Sequence, residues 1–236
     1  MSAVVSTVKL HLNVRQLTFL IPVTIAGMVA VLSVLLSLVF WRSGSLPGTE
    51  GWIQGSQSNP GIIYALGGFL VYLGVASVGT TFPFALSLGA TRRAFVTGTL
   101  IWNATVAAYT ALILAALTLI ELATDHWFAG FYIFDIYVLG AGDIPRLLLI
   151  VFLGTLVALT IGGVFAASWV RLGARGPQLI AIGVVLVLAI LAIILVPYAA
   201  SIVQNFQLWW LAALAAVLIV LSATGSWLLL RRAIVR

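Results

Sequence analysis

Gln178–Ala199 reads QLIAIGVVLVLAILAIILVPYA, an apolar run without one charged side chain. A hydrocarbon core about 30 Å thick takes roughly 20 residues of helix to cross, and this run is that long. Five more uncharged runs have the same character: Leu17–Phe40, Ile62–Leu86, Val96–Ile120, Leu147–Val170 and Leu208–Leu230. Their apolar residues are continuous and do not alternate, which predicts helices, because in lipid a helix satisfies its own backbone polar groups and an open strand does not. The whole chain agrees: 63% of its 236 residues are hydrophobic and 7% are charged, with a mean hydropathy of +1.24. A soluble domain carries roughly a quarter charged residues. So few polar side chains cannot cover a globule in water, which excludes a soluble enzyme, a disordered tail and a nucleic-acid-binding domain. The absence of cysteine excludes disulfides, thiolate metal sites and a cysteine nucleophile. The expected fold is all-α: a polytopic integral membrane protein of six transmembrane helices.

The charges predict an orientation. Lys9 and Arg15 precede the first span, Arg92 and Arg93 separate the second from the third, and Arg171 and Arg175 separate the fourth from the fifth. Arg231, Arg232 and Arg236 follow the sixth. These segments fall on one side and hold no acid. The other side holds Arg42 and Arg146 with all five acids: Glu50, Glu121, Asp125, Asp135 and Asp143. Short loops rich in Lys and Arg stay cytoplasmic, so both termini are expected inside. The first run is too long for a signal-peptide core and lacks a small-residue cleavage site, and is read as a retained span. Residues 41–61, rich in Gly, Ser and Pro, read as a loop, and 171–177 as a tight turn.

Within these boundaries no span contains Asp, Glu, Lys, Arg or His, so a proton relay is not expected in the chain. Glu121, at the outer end of the third span, is expected to be exposed. No G-x-x-x-x-G-K-[ST] loop is present to cradle phosphates. His11 and His126 are expected on opposite membrane faces, where they share neither a metal nor a catalytic site. Gly140-Ala141-Gly142-Asp143 matches the Gly-x-Gly-Asp signature of intramembrane aspartyl proteases, a chemistry needing two carboxylates at close range. The other nearby acid is Asp135, in the same external segment, and a Gly-rich turn before the fourth span is the preferred reading. No catalytic residue and no metal site are assigned.

The most informative string is Phe82-Pro83-Phe84-Ala85-Leu86-Ser87-Leu88-Gly89-Ala90-Thr91-Arg92-Arg93. It resembles the first cytoplasmic loop of bacterial type-2 ABC transporter permeases, in particular the small six-span actinobacterial ones. The resemblance elsewhere is one of length, span count and topology. It implies an exporter-like half transporter in a bacterial plasma membrane, with both termini inside. The partners it implies are a second permease copy, making a homodimer, and two copies of a separate ATP-binding subunit that would hold the ATP and magnesium; no cofactor is expected in this chain. The loop would form a coupling helix seated on the ATPase, with Leu86, Leu88 and Phe95 as apolar anchors, Gly89 as the bend, and Arg92 and Arg93 pairing with acids. Without the resemblance, the two arginines read as topology determinants that bind lipid phosphate. The family also implies an interfacial elbow helix, placed at 1–16. There Ser2, Ser6, Lys9, Asn13 and Gln16 share one face, Val5, Val8, Leu12 and Phe19 another, and Leu10, Val14 and Leu17 a third stripe. The function so implied is ATP-driven export of an amphipathic peptide, drug or lipid-like molecule. A non-transporting membrane scaffold or sensor stands as the alternative, with the protease behind it.

Small residues favour close helix packing in lipid. Gly154, Ala158, Gly162 and Ala166, and likewise Ala107, Ala111 and Ala115, predict two seams. Trp127, Phe131 and Phe134 fall on one helical face of the external segment, which reads as an aromatic belt at the interface or as a re-entrant gate. Asn103, Thr105 and Thr80 are the candidate pathway residues.

Overall fold

The computed structural model describes residues 3–233, so Ser2 and Arg236 of the readings above lie outside the described residues. The helices are α1 (Ala3–Leu12), α2 (Ile21–Arg42, entered through a wide turn at Gln16–Leu20), α3 (Glu50–Gln57), α4 (Gly61–Gly79) and α5 (Thr81–Ser87). They continue with α6 (Arg92–Ala123), α7 (Ile144–Leu172), α8 (Arg175–Leu195), α9 (Ala199–Gln204) and α10 (Leu208–Leu230). No strand occurs among the described residues. Among the described residues six helical segments are long and apolar enough to cross a membrane: Gln16–Arg42, Glu50–Ser87, Arg92–Ala123, Ile144–Leu172, Arg175–Gln204 and Leu208–Leu230. A multi-pass membrane protein is the class they indicate.

The solvent around these helices is not water. From Ala181 to Ala200 every residue is exposed, including Val185, Leu188, Ile190 and Ile193. Hiding each such side chain from water is worth about 1.5–3 kcal/mol, so a helix presenting an entire apolar circumference is stable only against lipid or another apolar surface. Hydroxyls within the helices are absorbed locally. Ser77 donates to Gly74 O (2.8 Å), Thr110 to Val106 O (2.9 Å) and Thr118 to Leu114 O (3.0 Å), the back-bonding that makes Ser and Thr tolerable in lipid.

The chain forms two compact units. The first takes in the residues through His11, Val71–Ile101 and those from Leu159 onward. Its core holds Val78, Phe82, Ala85, Phe95, Ala166, Ala167 and Leu230, with Phe82 edge-on to Phe95 at 5.1 Å between centroids. The decisive contact here is between backbones. A Cβ added to Gly162 would lie 2.2 Å from Val71 O, and one added to Gly74 would lie 2.3 Å from Leu159 O. α4 and α7 therefore touch main chain to main chain, at a distance that only glycine on both helices permits. Of the predicted stripe on α7, Gly162 and Ala166 are buried here.

The second unit takes in Leu12–Leu70 and Trp102–Ala158. Ala107, Ala111 and Ala115 are buried in it, and the Tyr109 hydroxyl donates to Phe19 O at 2.8 Å. Gly154 departs from the expected seam: it is exposed, and a Cβ there would meet nothing within 4 Å.

The contrast sets a test on thermal unfolding in detergent. Gly162→Ala, forced against Val71 O, is expected to lose about 2 kcal/mol. Gly154→Ala, with open space around it, is expected to be neutral or to gain up to about 1 kcal/mol. Equal effects would contradict the main-chain contact.

Candidate functional site

Two clusters of polar and aromatic side chains stand out, one in each unit. The first is built on the turn between α5 and α6. Ala90 N–H reaches Ala85 O at 3.0 Å and Gly89 N–H reaches Leu86 O at 2.9 Å, with Gly89 at φ +83°. This is a Schellman closure of α5, and its left-handed residue costs little only as glycine. Thr91 then caps α6, its Oγ1 accepting from Ala94 N–H at 3.2 Å.

Arg92 and Arg93 follow at the positive end of the α6 dipole, an unfavourable place for cations. Arg92 offsets this by turning to the negative end of another helix. Its guanidinium donates to Arg231 O, and to Ala233 O at 2.8 Å, satisfying carbonyls that the end of α10 leaves unpaired. Arg93 stands over the Trp227 ring, its guanidinium carbon 5.9 Å from the centroid.

The expected partner-binding set is thus redistributed. Phe95 is wholly buried between Phe82 and His11 and is not an anchor for another protein, a correction to the sequence reading. Leu86 is partly buried against the same core, and Arg92 is committed to its own chain. Leu88 is 67% exposed and Phe84 53% exposed. The spacing of Phe84 and Leu88, one helical turn apart, is the signal by which Phe84 could have been chosen.

α1 docks differently from the expected amphipathic pattern. Its buried residues are Thr7 and His11, whereas Val5 is exposed. Thr7 lies over Gly98, where a Cβ would come within 2.7 Å of the Thr7 Cβ, and His11 Nε2 lies 3.0 Å from Thr99 Oγ1. Burial lowers the His11 pKa to about 4.

The second cluster lies on the chain between α6 and α7. Glu121, expected to be exposed, is fully buried. Its carboxylate accepts from the main-chain N–H groups of Ile133 (2.8 Å), Phe134 (2.8 Å) and Asp135 (3.3 Å). The correction has a simple cause: residues 131–136 leave helical geometry and their N–H groups need an acceptor. Asp135 is buried too, with its Oδ2 3.1 Å from His126 Nε2 and 3.3 Å from Gln57 Nε2. Tyr132 lies against the His126 ring at 3.9 Å between centroids. Its phenol pKa is raised by burial, then by the negative charges of Asp135, Asp125 and Glu121.

The helical face predicted for the aromatics does not form. Asp125, His126, Trp127 and Phe128 have φ from +49° to +60°, a left-handed turn that redirects the chain. Trp127 still meets Phe134 (6.4 Å), while Phe131 packs on Trp52 (6.2 Å), whose Nε1–H donates to Gly130 O at 2.7 Å. The Gly-x-Gly-Asp string also has a local explanation. Gly140, Ala141 and Gly142 all have positive φ, and Asp143 caps α7, its Oδ1 accepting from Arg146 N–H at 3.1 Å. Asp143 is exposed and Asp135 is held by His126 and Gln57, so neither is arranged as half of a proton-sharing pair.

The candidate pathway residues do not form one polar lining. Asn103 is buried, and its Oδ1 finds no partner among the described residues. Thr105 is exposed, and Thr80 is exposed with its hydroxyl donated to Ala76 O at 2.7 Å. Among the described residues no group of three His, Cys, Asp or Glu could hold a metal ion. Comparison of the chain with protein-family models, with curated proteins and with solved structures finds no match.

Two outcomes are expected in unfolding experiments. Glu121→Ala, which strands three main-chain donors, should cost about 3 kcal/mol and open residues 124–143 to chymotrypsin, while Glu121→Gln, keeping one acceptor oxygen, should cost roughly half as much. The stability contributed by neutral His11 is whole above about pH 6.5, where the unfolded chain is also neutral. It is lost as pH falls from there through about 4, up to about 3 kcal/mol in all. A His11→Gln variant should lack that slope in a pH series of melting temperatures.

Proposed function

We propose that the chain is the membrane-spanning subunit of an ATP-driven transporter, resembling type-2 ABC permeases, that two copies assemble, and that a separate ATP-binding subunit docks against the α5–α6 turn of each. The observation that carries this reading is the exposed pair Phe84 and Leu88 at that turn, bordered by the exposed cations Arg93, Arg231 and Arg232. Under the positive-inside rule such a basic segment faces the cytoplasm, where ATP is. Leu88, just past the end of the second span, gains about 1.5–3 kcal/mol when a partner covers it, and an acidic rim on that partner would match the exposed cations. The apolar spans suit export of an amphipathic cargo such as a peptide, drug or lipid-like molecule. The plasma membrane of a bacterium is the location this reading carries with it.

The residue to test is Leu88, since Arg92 also holds α10. In proteoliposomes containing the chain and an ATPase that co-purifies with it, Leu88→Asp should reduce stimulated ATP turnover at least about ten-fold, the equivalent of one lost apolar anchor, with an unchanged melting temperature. Arg92→Ala should instead lower the melting temperature by destabilising the end of α10. Purification without any ATPase, or full stimulation by Leu88→Asp, would sink the proposal and leave the scaffold reading in its place.

A further inference from the structure

In the second unit a cavity of about 400 Å³ opens between α2, α3 and the chain at Tyr132, a volume in the range of small-molecule sites. Its wall is uncharged. Ser33 and Ser37 come from α2, Ser56 from α3, and Asn59 from the connection to α4, with Trp52 and Tyr132 as aromatic faces. Ser77 and Ser168, in other apolar helices, spend their hydroxyls on a carbonyl of the preceding turn. The hydroxyls of Ser37 and Ser56 make no hydrogen bond with any described residue. The Asn59 amide only grazes Ser33 Oγ, at 3.5 Å, near the limit of a hydrogen bond. The fold uses the Asn59 Oδ1, which accepts from Gly61 N–H at 2.9 Å at the start of α4, but leaves the Ser37 and Ser56 hydroxyls and most of the Asn59 amide N–H capacity facing the cavity.

The helix on one side of it is built to keep the space. α3 carries Gly51 and Gly55, both lining the cavity. Neither is needed for its backbone conformation, and a Cβ at either would meet nothing within 4 Å. Glycine inside a helix costs about 0.5–1 kcal/mol relative to alanine, a burden for a helix of 8 residues that no neighbouring atom demands. What the two glycines preserve is volume beside the rim of Trp52.

The electrostatics select the ligand class. Among the described residues no Lys, Arg, Asp, Glu or His lines the wall, so an ion would find no counter-charge there. Tyr132 lies in the negative field of Asp135, Asp125 and Glu121, which repels anions in particular. Hydroxyl and amide groups beside flat aromatic faces suit a neutral molecule with many hydroxyls and an apolar C–H face. Leu36 and Phe40 of α2 also border the cavity and adjoin the exposed Leu35 and Val39, an apolar track along which an acyl chain could lie. We propose that this cavity binds an uncharged polyhydroxyl group, a sugar ring lying against Tyr132 beside the edge of Trp52 and hydrogen-bonded by Ser37, Ser56 and Asn59. The proposal stands without the transporter reading and takes no support from it.

The test uses the full chain in phosphatidylcholine nanodiscs. Three lipids are supplied in equal amounts, monoglucosyl-diacylglycerol, phosphatidylglycerol and diacylglycerol, with retention read by native mass spectrometry. Methyl glucoside binding is measured separately by calorimetry. Retention of the glucosyl lipid is expected to exceed that of the other two by about ten-fold, the worth of one or two hydrogen bonds. It should fall to their level in Gly55→Leu, which fills the cavity, and in Ser37→Ala/Ser56→Ala, which removes two hydroxyls that no bond within the chain uses. Gly154→Leu, away from this cavity, should leave it unchanged. Methyl glucoside binding that displaces the lipid identifies a soluble sugar as sufficient; glucosyl-lipid retention without it identifies a membrane headgroup. Equal retention of all three lipids with no methyl glucoside binding would overturn the proposal, as would wild-type binding in the double alanine variant. That variant also decides the matter if Gly55→Leu fails to fold.

Discussion

A buried carboxylate holding three main-chain N–H groups is the constraint on which the polar half of this protein depends. Helices in an apolar medium satisfy their own backbone, so the difficulty falls where the chain stops being helical. Residues 131–136 are such a stretch, and Glu121, from the last turn of α6, supplies the acceptor that their N–H groups lack. With that backbone fixed, Asp135 meets His126 and Gln57, Tyr132 stacks on His126, and Gly130 O takes the Trp52 indole proton. The walls of the uncharged cavity at Trp52 and Tyr132 follow from the same arrangement.

Elsewhere, cations and glycines do comparable work. Arg92 stands at the wrong end of its own helix for a cation and at the right end of α10, so one side chain ties the start of one helix to the finish of another. That dual position changes how a basic turn is read: a guanidinium satisfying two carbonyls is poorly placed to meet a partner's acid. What the turn leaves outward is apolar, Phe84 and Leu88. At Gly74 and Gly162 the gain is dispersion between backbones, available only where neither residue has a Cβ.

Much of the fold was legible in the sequence because the membrane criterion is local. Length, continuous apolarity and missing charge are properties of each run taken alone, and six helical segments of the required kind are present. The bend at Gly89 was readable for the same reason, since the end of a helix involves residues three to five apart. The candidate sites were less legible. Phe95 read as a surface anchor because its string faced a loop, yet its ring is core; Glu121 read as exposed because acids at span ends usually are. Trp127, Phe131 and Phe134 shared a face only on the assumption of a right-handed helix, which four left-handed residues break.

The sequence by itself determined a helical membrane chain, its six long apolar segments and the glycines that end or loosen them, since each follows from the solvent preference of residues close together in the chain. The tertiary structure decided which small residues form a seam, that Arg92 serves α10, that Glu121 is buried, and that unspent hydroxyls of α2 and α3 face one cavity. Those outcomes turn on partners 12 to 141 positions apart, and no local pattern of hydropathy encodes which distant carbonyl or amide a side chain will reach.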